Sequence, residues 1–368
     1  MGYQGNWRDI FQNWEALALS YPKFIGSFMT KFVNASTVDG YNPYRITKEG
    51  IDWEMLEPDN PWSNIGYWGD HQIIYLLKLL ELADKYQSSE LIGWLNEEHF
   101  SYANVPYEIV GAAQTFKNPK DTVTFNTEKQ KVIDQRCAQL GSDGRLLLGD
   151  NNSVYLVSLM EKLLVPLLAK LSNFVLDGGI WLNTQRPEWN DANNAIVGSG
   201  LSMVTLYYMR RYTAFMTQLL ERAPKSLSVS KEVSEWLNRS FCILEAVSNV
   251  LKHDAVTPQF RMSLLTDLAN EGERYRNKVY RDGLSEKTSV DSHYIQDFMR
   301  TVQSLIDKTI ENNKRKDGLY NAYNILDLKG DGAYVDELYP MLEGQVAVLS
   351  SGVLDGKQSV DLLDNLFN

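Results

Sequence analysis

The amino-acid sequence predicts an all-α fold in which antiparallel helix pairs are wound into a toroid. Apolar residues recur at helical spacing through several long segments, whereas a strand pattern is confined to Val123 and Phe125, which alternate with threonine. The intervening loops are long, unequal and rich in aromatic and amide side chains, which is more typical of a toroid with a site at one end than of a regular solenoid. A generic helical bundle or a solenoid is the alternative. We expect residues 1–368 to form one domain, because no low-complexity linker divides them.

The helices follow in order from this spacing. The first, Trp7–Ser20, should stop before Pro22 because proline cannot continue a helix. The strongest is Asp70–Tyr86, which places Ile73, Leu77 and Leu80 on one face. The other predicted helices cover residues 23–33, 153–176, 201–222, 231–253, 258–281, 292–314 and 337–354, and residues 327–332 are predicted to be a turn.

Charge restricts the partners of the protein. The formal net charge is −11 and the pI is near 5.0, which argues against binding to nucleic acid or to an anionic membrane surface. Any phosphate must therefore be held by a local cluster of arginines. The long apolar segment 154–176 contains Glu161, Lys162 and Lys170, so it predicts a buried core helix and not a membrane span.

The cysteines and histidines also argue against some kinds of site. The two cysteines, Cys137 and Cys242, do not form a disulfide framework, so reduced thiols and a cytoplasmic location are predicted. The four histidines lack the spacing of a metal-ligand set, and no Gly-rich phosphate loop or dinucleotide fingerprint is present. We therefore predict no metal and no cofactor.

The segment 186–194 has the most informative composition. It places Arg186, Glu188, Trp189, Asn190 and Asp191 in a short loop between two apolar helices. Tryptophan stacks on sugar rings and a carboxylic acid can protonate a glycosidic oxygen, so this loop suggests a carbohydrate-cleaving site. The alternative is a surface loop in which Asp191 caps the next helix.

Two further segments have similar chemistry. Arg8 and Gln12 are four residues apart and share a helix face with Asp9 beside them, an arrangement suited to binding hydroxyls or an oxyanion. Aromatic residues also precede Asp70 and His71 at a predicted helix start. The alternatives are a solvated helix start with an Arg8–Gln12 contact, and Asp70 as a helix cap beside a structural His71.

Together, in this order, the three segments resemble the catalytic barrel of the cellobiose-phosphorylase-like enzymes, inverting glycoside phosphorylases with an (α/α)6 barrel. The Arg-Asp-x-x-Gln segment of the family is matched by residues 8–12, and its Asp-Asp-His stretch resembles residues 69–71. Its Asp-Trp-Asn-Asp segment, which ends in the general acid, is matched by residues 188–191. Residues 7–14 and 338–345 are more similar to the branch that includes β-1,3-glucan phosphorylases.

The sequence also departs from the family. Ile10 and Phe11 replace small polar residues, and Glu188 replaces the first aspartate of the acid motif. Family members carry a β-sandwich before the barrel and a Gly-Gly-x-x-x-His-like segment after the acid. The resemblance therefore implies a catalytic-barrel fragment, an (α/α)6 barrel that is incomplete at both ends.

The resemblance implies inverting phosphorolysis of a β-glucoside or β-glucan oligosaccharide to a sugar 1-phosphate, with Asp191 as general acid. Inorganic phosphate is the nucleophile and co-substrate, the partners are an oligosaccharide or disaccharide and phosphate, and a homodimer is implied. Its substrate-binding residues would be Arg8, Asp9, Gln12, Asp70, His71, Arg186, Glu188, Trp189 and Asn190.

Two rival functions remain. An inverting glycoside hydrolase would need a second carboxylate about 6.5–9.5 Å from the acid to activate water, and Glu343 is the best candidate in the sequence. A catalytically incomplete carbohydrate-binding fragment is the other.

Overall fold

The computed structural model describes residues 5–43, 45–47, 50–55, 59, 67–68, 70–149, 152–184, 195–251 and 255–367; the side chains of residues 5–9, 45, 68 and 70–72 are also outside the description. The α-helices within these ranges are α1 Trp7–Ser20, α2 Ile25–Asn34, α3 Asp70–Tyr86, α4 Ser88–Trp94, α5 Ala112–Lys117, α6 Thr127–Leu140, α7 Leu159–Leu171, α8 Met203–Leu220, α9 Lys231–Val250, α10 Pro258–Asp282, α11 Ser292–Asn312, α12 Leu342–Ser350 and α13 Gly356–Phe367.

The strands are short. They are β1 Gly5–Asn6, β2 Asn42–Pro43, β3 Arg45–Thr47, β4 Gly50–Asp52, β5 Tyr67–Trp68, β6 Tyr107–Ile109, β7 Val123–Phe125, β8 Phe174–Val175, β9 Gly179–Trp181, β10 Gly200–Ser202, β11 Ser226–Ser230, β12 Lys287–Asp291, β13 Tyr323–Lys329 and β14 Gly332–Glu337.

The prediction of an all-α fold is wrong, and so is the prediction of an (α/α)6 toroid or barrel. The protein is mixed α and β, with a five-stranded antiparallel sheet in the order β14-β13-β10-β9-β8 and further small sheets. Strands β8, β9 and β10 are two or three residues long and buried throughout, so they show no alternation of apolar and polar residues. A continuous apolar stretch of that length cannot be assigned from periodicity.

The long helices were predicted well. Helices α1 and α3 have the predicted bounds, and α10 extends the prediction by one residue. Pro258 opens α10 after Thr257, whose side chain accepts a hydrogen bond from the Phe260 N–H. Helix α7 is buried along its whole length, as predicted, but it covers only Leu159–Leu171 of the predicted residues 153–176.

The C-terminal predictions needed larger corrections. Residues 327–329 belong to β13 and not to a turn, because β13 and β14 form a hairpin that pairs Lys329 with Gly332. The predicted helix 337–354 begins only at Leu342, since Glu337 ends β14 and Pro340 follows. The strand prediction around Val123 is confirmed by β7, which pairs with β6.

Helices α1 and α3 run parallel and begin at the same end of the molecule. Gln12 Nε2 lies 3.5 Å from the hydroxyl of Tyr75, and the ammonium of Lys78 lies 2.9 Å from the carboxylate of Glu15. A step of three residues along α1 thus matches a step of three along α3. The first turn of α1 therefore lies beside the first turn of α3.

Helices α8 and α12 start at this end as well. Arg211 of α8 pairs with Glu81 of α3, and Arg222 beyond α8 pairs with Asp84, so α8 runs in the direction of α3. The N–H of Met203, which opens α8, donates to the carbonyl of Ala322, on which α12 also packs through its third residue.

Helix α7 runs the opposite way and ends where α8 begins. Phe174, just past α7, pairs with Ile180 of β9, and Ile180 pairs with Ser202, the residue before α8. We call this region the helix-start end: the first turns of α1, α3, α8 and α12 together with the last turn of α7. Within the described residues, no helix has both the length and the apolarity needed to cross a bilayer.

Candidate functional site

Most of the residues predicted for the site cannot be placed. Arg186, Glu188, Trp189, Asn190 and Asp191 lie outside the described residues. Arg8, Asp9, Asp70 and His71 have described backbone only, at the first turns of α1 and α3. Gln12 is the exception: its side chain is exposed and lies 3.5 Å from the hydroxyl of buried Tyr75.

The described backbone nevertheless brings two of the predicted segments, and the residues that flank the third, to one end. Arg8 and Asp9 are in the first turn of α1, Asp70 and His71 are in the first turn of α3, and these turns are neighbours at the helix-start end. The segment 185–194 connects β9 to β10, and β10 leads directly into the start of α8. Its base is closed by backbone hydrogen bonds from Leu182 to Gly200 and from Gly198 to Leu182.

A chain of side-chain contacts joins the base of that loop to the strand before Asp70. The amide of Asn183 donates to the amide oxygen of Asn173 at 2.8 Å, and the amide of Asn173 reaches the hydroxyl of Tyr41 at 3.4 Å. The ring of Tyr41 stacks on Tyr67 with centroids 5.0 Å apart. Tyr67 lies in β5, three residues before Asp70.

This series of contacts ends at a buried carboxylate, Asp39, which contacts Tyr67. Asp39 is 2 % exposed and accepts hydrogen bonds from the hydroxyls of Thr37, Tyr67 and Tyr280. These three hydrogen bonds hold the carboxylate and both tyrosine rings in place. Burial, reinforced by the charge of Asp39, raises the pKa of Tyr67 and of Tyr280 well above the ordinary value.

A cleft of about 160 Å³ opens beside Asp39. Tyr67, Tyr107 and Tyr280 contribute aromatic rings to its walls, and Asn104 and Lys129 contribute polar groups. Within the described part of the chain, the side chains of Asn104 and Lys129 make no hydrogen bond or ion pair. Burial lowers the pKa of Lys129, although the charges of Asp39 and Glu108 oppose that shift. Rings beside unused donors and acceptors suit a hydroxyl-rich ligand.

A second cleft, of about 520 Å³, shares Leu147 and Gly283 with the first. It continues along residues 282–286 past Tyr155. The two clefts are therefore neighbours, on either side of Leu147 and Gly283.

The sequence reasoning missed Asp39 and Lys129. Asp39 precedes Gly40 in a segment whose Asn and Pro residues predict only a turn, and Lys129 follows a helix cap at Asn126. Their proximity depends on the contact of α10 with the segment after α2, which one-dimensional periodicity does not contain.

Glu343, the candidate base of a hydrolase, lies in the first turn of α12 at the helix-start end. It accepts a hydrogen bond from the hydroxyl of Tyr323 at 3.1 Å. Among the residues that the structure describes, no group of three or more His, Cys, Asp or Glu side chains could hold a metal ion.

The buried tyrosines make stability depend on alkaline pH. Burial raises the pKa of Tyr155 to about 12 and raises those of Tyr67 and Tyr280 well above the value of about 10 in an unfolded chain. The folded state thus favours the neutral phenols, so their contribution is complete below about pH 10 and is lost as pH rises through the folded pKa values. We expect these buried tyrosines to ionise only with cooperative unfolding.

Phenolate absorbance and circular dichroism recorded over the same alkaline titration check this expectation. Ionisation of all tyrosines near pH 10 with the fold intact would contradict it.

No protein-family model matches this sequence, and no curated protein matches it.

Proposed function

We propose that this protein cleaves a β-glucoside or β-glucan oligosaccharide by inverting phosphorolysis, with Asp191 as the proton donor. The mixed α and β fold neither supports nor excludes phosphorolysis, because the same chemistry recurs on unrelated folds. The proposal therefore depends on the residues of the site.

One observation carries it. The contacts from Asn183 by way of Asn173 and Tyr41 to Tyr67 join described residues that flank two of the predicted segments. Gln12, 3.5 Å from the hydroxyl of Tyr75, brings the first segment to the same helix-start end. One of these flanking residues, Tyr67, also lines the polar, tyrosine-lined cleft beside Asp39. Convergence of this kind beside a cleft is typical of a small-molecule site.

Two groups carry out the proposed reaction: Asp191 donates a proton and inorganic phosphate is the nucleophile. Asp191 gives its proton to the glycosidic oxygen as the bond from that oxygen to the anomeric carbon breaks. An oxygen of inorganic phosphate bonds to the anomeric carbon from the opposite face, so a β-linkage gives an α-sugar 1-phosphate and a shortened sugar. Phosphate is already anionic, so a carboxylate base is unnecessary.

The remaining segment residues have supporting roles in the proposal. Glu188 and Trp189 would raise the pKa of Asp191 by charge repulsion and burial, and Trp189 would also orient a sugar ring. Sugar and phosphate would be bound by Arg8, Asp9, Gln12, Asp70, His71, Arg186 and Asn190. A cytoplasmic location is part of the proposal and is supported by the free thiols of Cys137 and Cys242.

Phosphate dependence tests the reaction. The purified chain is incubated with cello- and laminari-oligosaccharides, with and without inorganic phosphate, and the products are identified by nuclear magnetic resonance. We expect an α-sugar 1-phosphate that forms only when phosphate is present.

The rivals give different results in the same assay. Equal rates of reducing-sugar release without phosphate would contradict phosphorolysis and favour the hydrolase. Binding of oligosaccharides without any cleavage would contradict catalysis and favour the carbohydrate-binding fragment.

A further inference from the structure

A half-buried guanidinium without a partner lies beneath the base of the loop that carries Asp191. Arg276 of α10 lines a small cavity together with Tyr41, Ser172, Asn173 and Asn183. Its Nε atom is buried and has no hydrogen-bond partner. In the described part of the chain, no carboxylate lies within ion-pair distance of Arg276, and no other group accepts a hydrogen bond from its side chain.

This arrangement is unusual for so acidic a protein. The chain has 47 acidic and 36 basic residues, so a surface arginine readily finds a carboxylate. The carboxylates of two neighbouring segments are engaged elsewhere: Glu273 accepts from the N–H of Ala112 at 2.7 Å, and Asp39 is held by its three hydroxyl donors. A buried donor that is left unpaired is costly, and more so on a charged group. A ligand that supplied an acceptor would remove this cost.

A second cation lies near the same wall. Lys170 at the end of α7 is 6 % exposed, and its ammonium is 5.5 Å from the centroid of the Tyr41 ring. Tyr41 also lines the cavity of Arg276. The ammonium of Lys170 and the cavity that Arg276 lines therefore both lie beside Tyr41, in a molecule of net charge −11.

The size of the cavity selects the chemistry. Its volume is about 20 Å³, so one oxygen atom of a ligand fits inside while the rest of the ligand stays outside, and a sugar ring does not fit. A planar guanidinium that faces an oxygen-sized space is suited to an oxyanion, because charge-assisted hydrogen bonds to phosphate or carboxylate are the strongest that arginine makes.

We propose that Arg276, with Lys170 nearby, forms an oxyanion-binding site beside Asn183 and Asn173. The anion is either free inorganic phosphate or an anionic substituent of a sugar. The identification of this anion as the phosphate that reacts rests on the proposed function. The existence of the binding site does not. Its position beside Asn183 places the anion next to the segment that carries Asp191.

Anion binding without turnover tests the site. Binding of inorganic phosphate, and separately of glucose 1-phosphate, is measured by calorimetry for the wild-type chain, Arg276→Met and Arg276→Lys. The matched control is Arg274→Met on the same helix, because Arg274 is exposed and pairs with Glu271. We expect Arg276→Met to weaken binding at least about 10-fold, Arg276→Lys to weaken it less, and Arg274→Met to leave it unchanged.

The two sources of the anion are distinguished by the two probes. Arg276-dependent binding of phosphate alone identifies a free anion, and Arg276-dependent binding of glucose 1-phosphate alone identifies a substituent on a sugar. No binding of either probe, or binding that Arg276→Met leaves unchanged while circular dichroism shows an intact fold, overturns the proposal. If Arg276→Met does not fold, the Arg276→Lys affinity decides, and an unchanged value overturns the site.

Failure of this site and failure of the proposed function give different results. Phosphorolysis with a phosphate KM that Arg276→Met does not change would remove this site and leave the function. Arg276-dependent phosphate binding without any phosphorolysis would leave this site and remove the function.

Discussion

Replacing Asp191 with asparagine is expected to lower the turnover of natural oligosaccharides by about 10²–10⁴-fold, the usual contribution of a positioned general acid. Asparagine keeps the size of the side chain but has no proton to give to the leaving glycosidic oxygen. The measurement is the rate of phosphate-dependent sugar 1-phosphate release by wild type and Asp191→Asn at saturating substrate. The matched control is Asp297→Asn, because Asp297 is exposed and pairs with Arg300 on its own helix.

A substrate with an acidic leaving group separates protonation from binding. The dinitrophenolate released from a dinitrophenyl glucoside is a weak base and departs without being protonated. We therefore expect wild type and Asp191→Asn to cleave this substrate at nearly equal rates. Near-normal turnover of the natural substrate by Asp191→Asn would contradict the acid role. An equal loss on both substrates would assign Asp191 to binding or to folding.

The largest effect on stability is expected from Glu161→Ala. Glu161 in α7 is fully buried and accepts hydrogen bonds from the hydroxyl of Tyr102 at 3.0 Å and from the N–H of Ser230 at 2.6 Å. The ammonium of Lys287 lies 3.6 Å away, and Lys162, itself 1 % exposed, is the next residue. Removing the carboxylate leaves buried positive charge without its counter-charge, which costs about 3–5 kcal/mol.

The free energy of unfolding from denaturant titration measures this loss. The control is Glu128→Ala, because Glu128 is exposed and pairs with exposed Lys131, and such pairs contribute at most about 1 kcal/mol. A loss below about 1 kcal/mol for Glu161→Ala would show that the network adds little to stability. Burial already lowers the pKa of Lys162 well below its ordinary value, so loss of the neighbouring charge also favours the neutral amine.

These two carboxylates differ in how readily the sequence reveals them. Asp191 attracted attention because it follows Glu188 and Trp189 in a polar loop. Glu161 lies in an apolar run and was recognised only as an interruption that argues against a membrane span. Its partners Tyr102, Ser230 and Lys287 come from three distant segments, so the purpose of the charge is visible only in three dimensions.

The fold, too, has elements that the sequence predicts and elements that it does not. Helices such as α1 and α10 were predicted because each buries one face, and a period of 3.6 residues records that face locally. Strands β8, β9 and β10 were missed because they are buried on both faces and are only two or three residues long. Strand pairing is a contact between distant segments, and such a contact leaves no period in the sequence.

The sequence alone determined the long helices, the acidic charge and the three polar segments proposed as a site, since each depends on residues close together in the chain. Only the tertiary structure decided that the protein is mixed α and β, that the starts of α1, α3, α8 and α12 share one end, and that Asp39 and Arg276 lie beside Tyr41 and Tyr67. The physical reason is that directions of packed helices, pairing of buried strands and the balance of buried charges all arise from contacts between segments far apart in sequence.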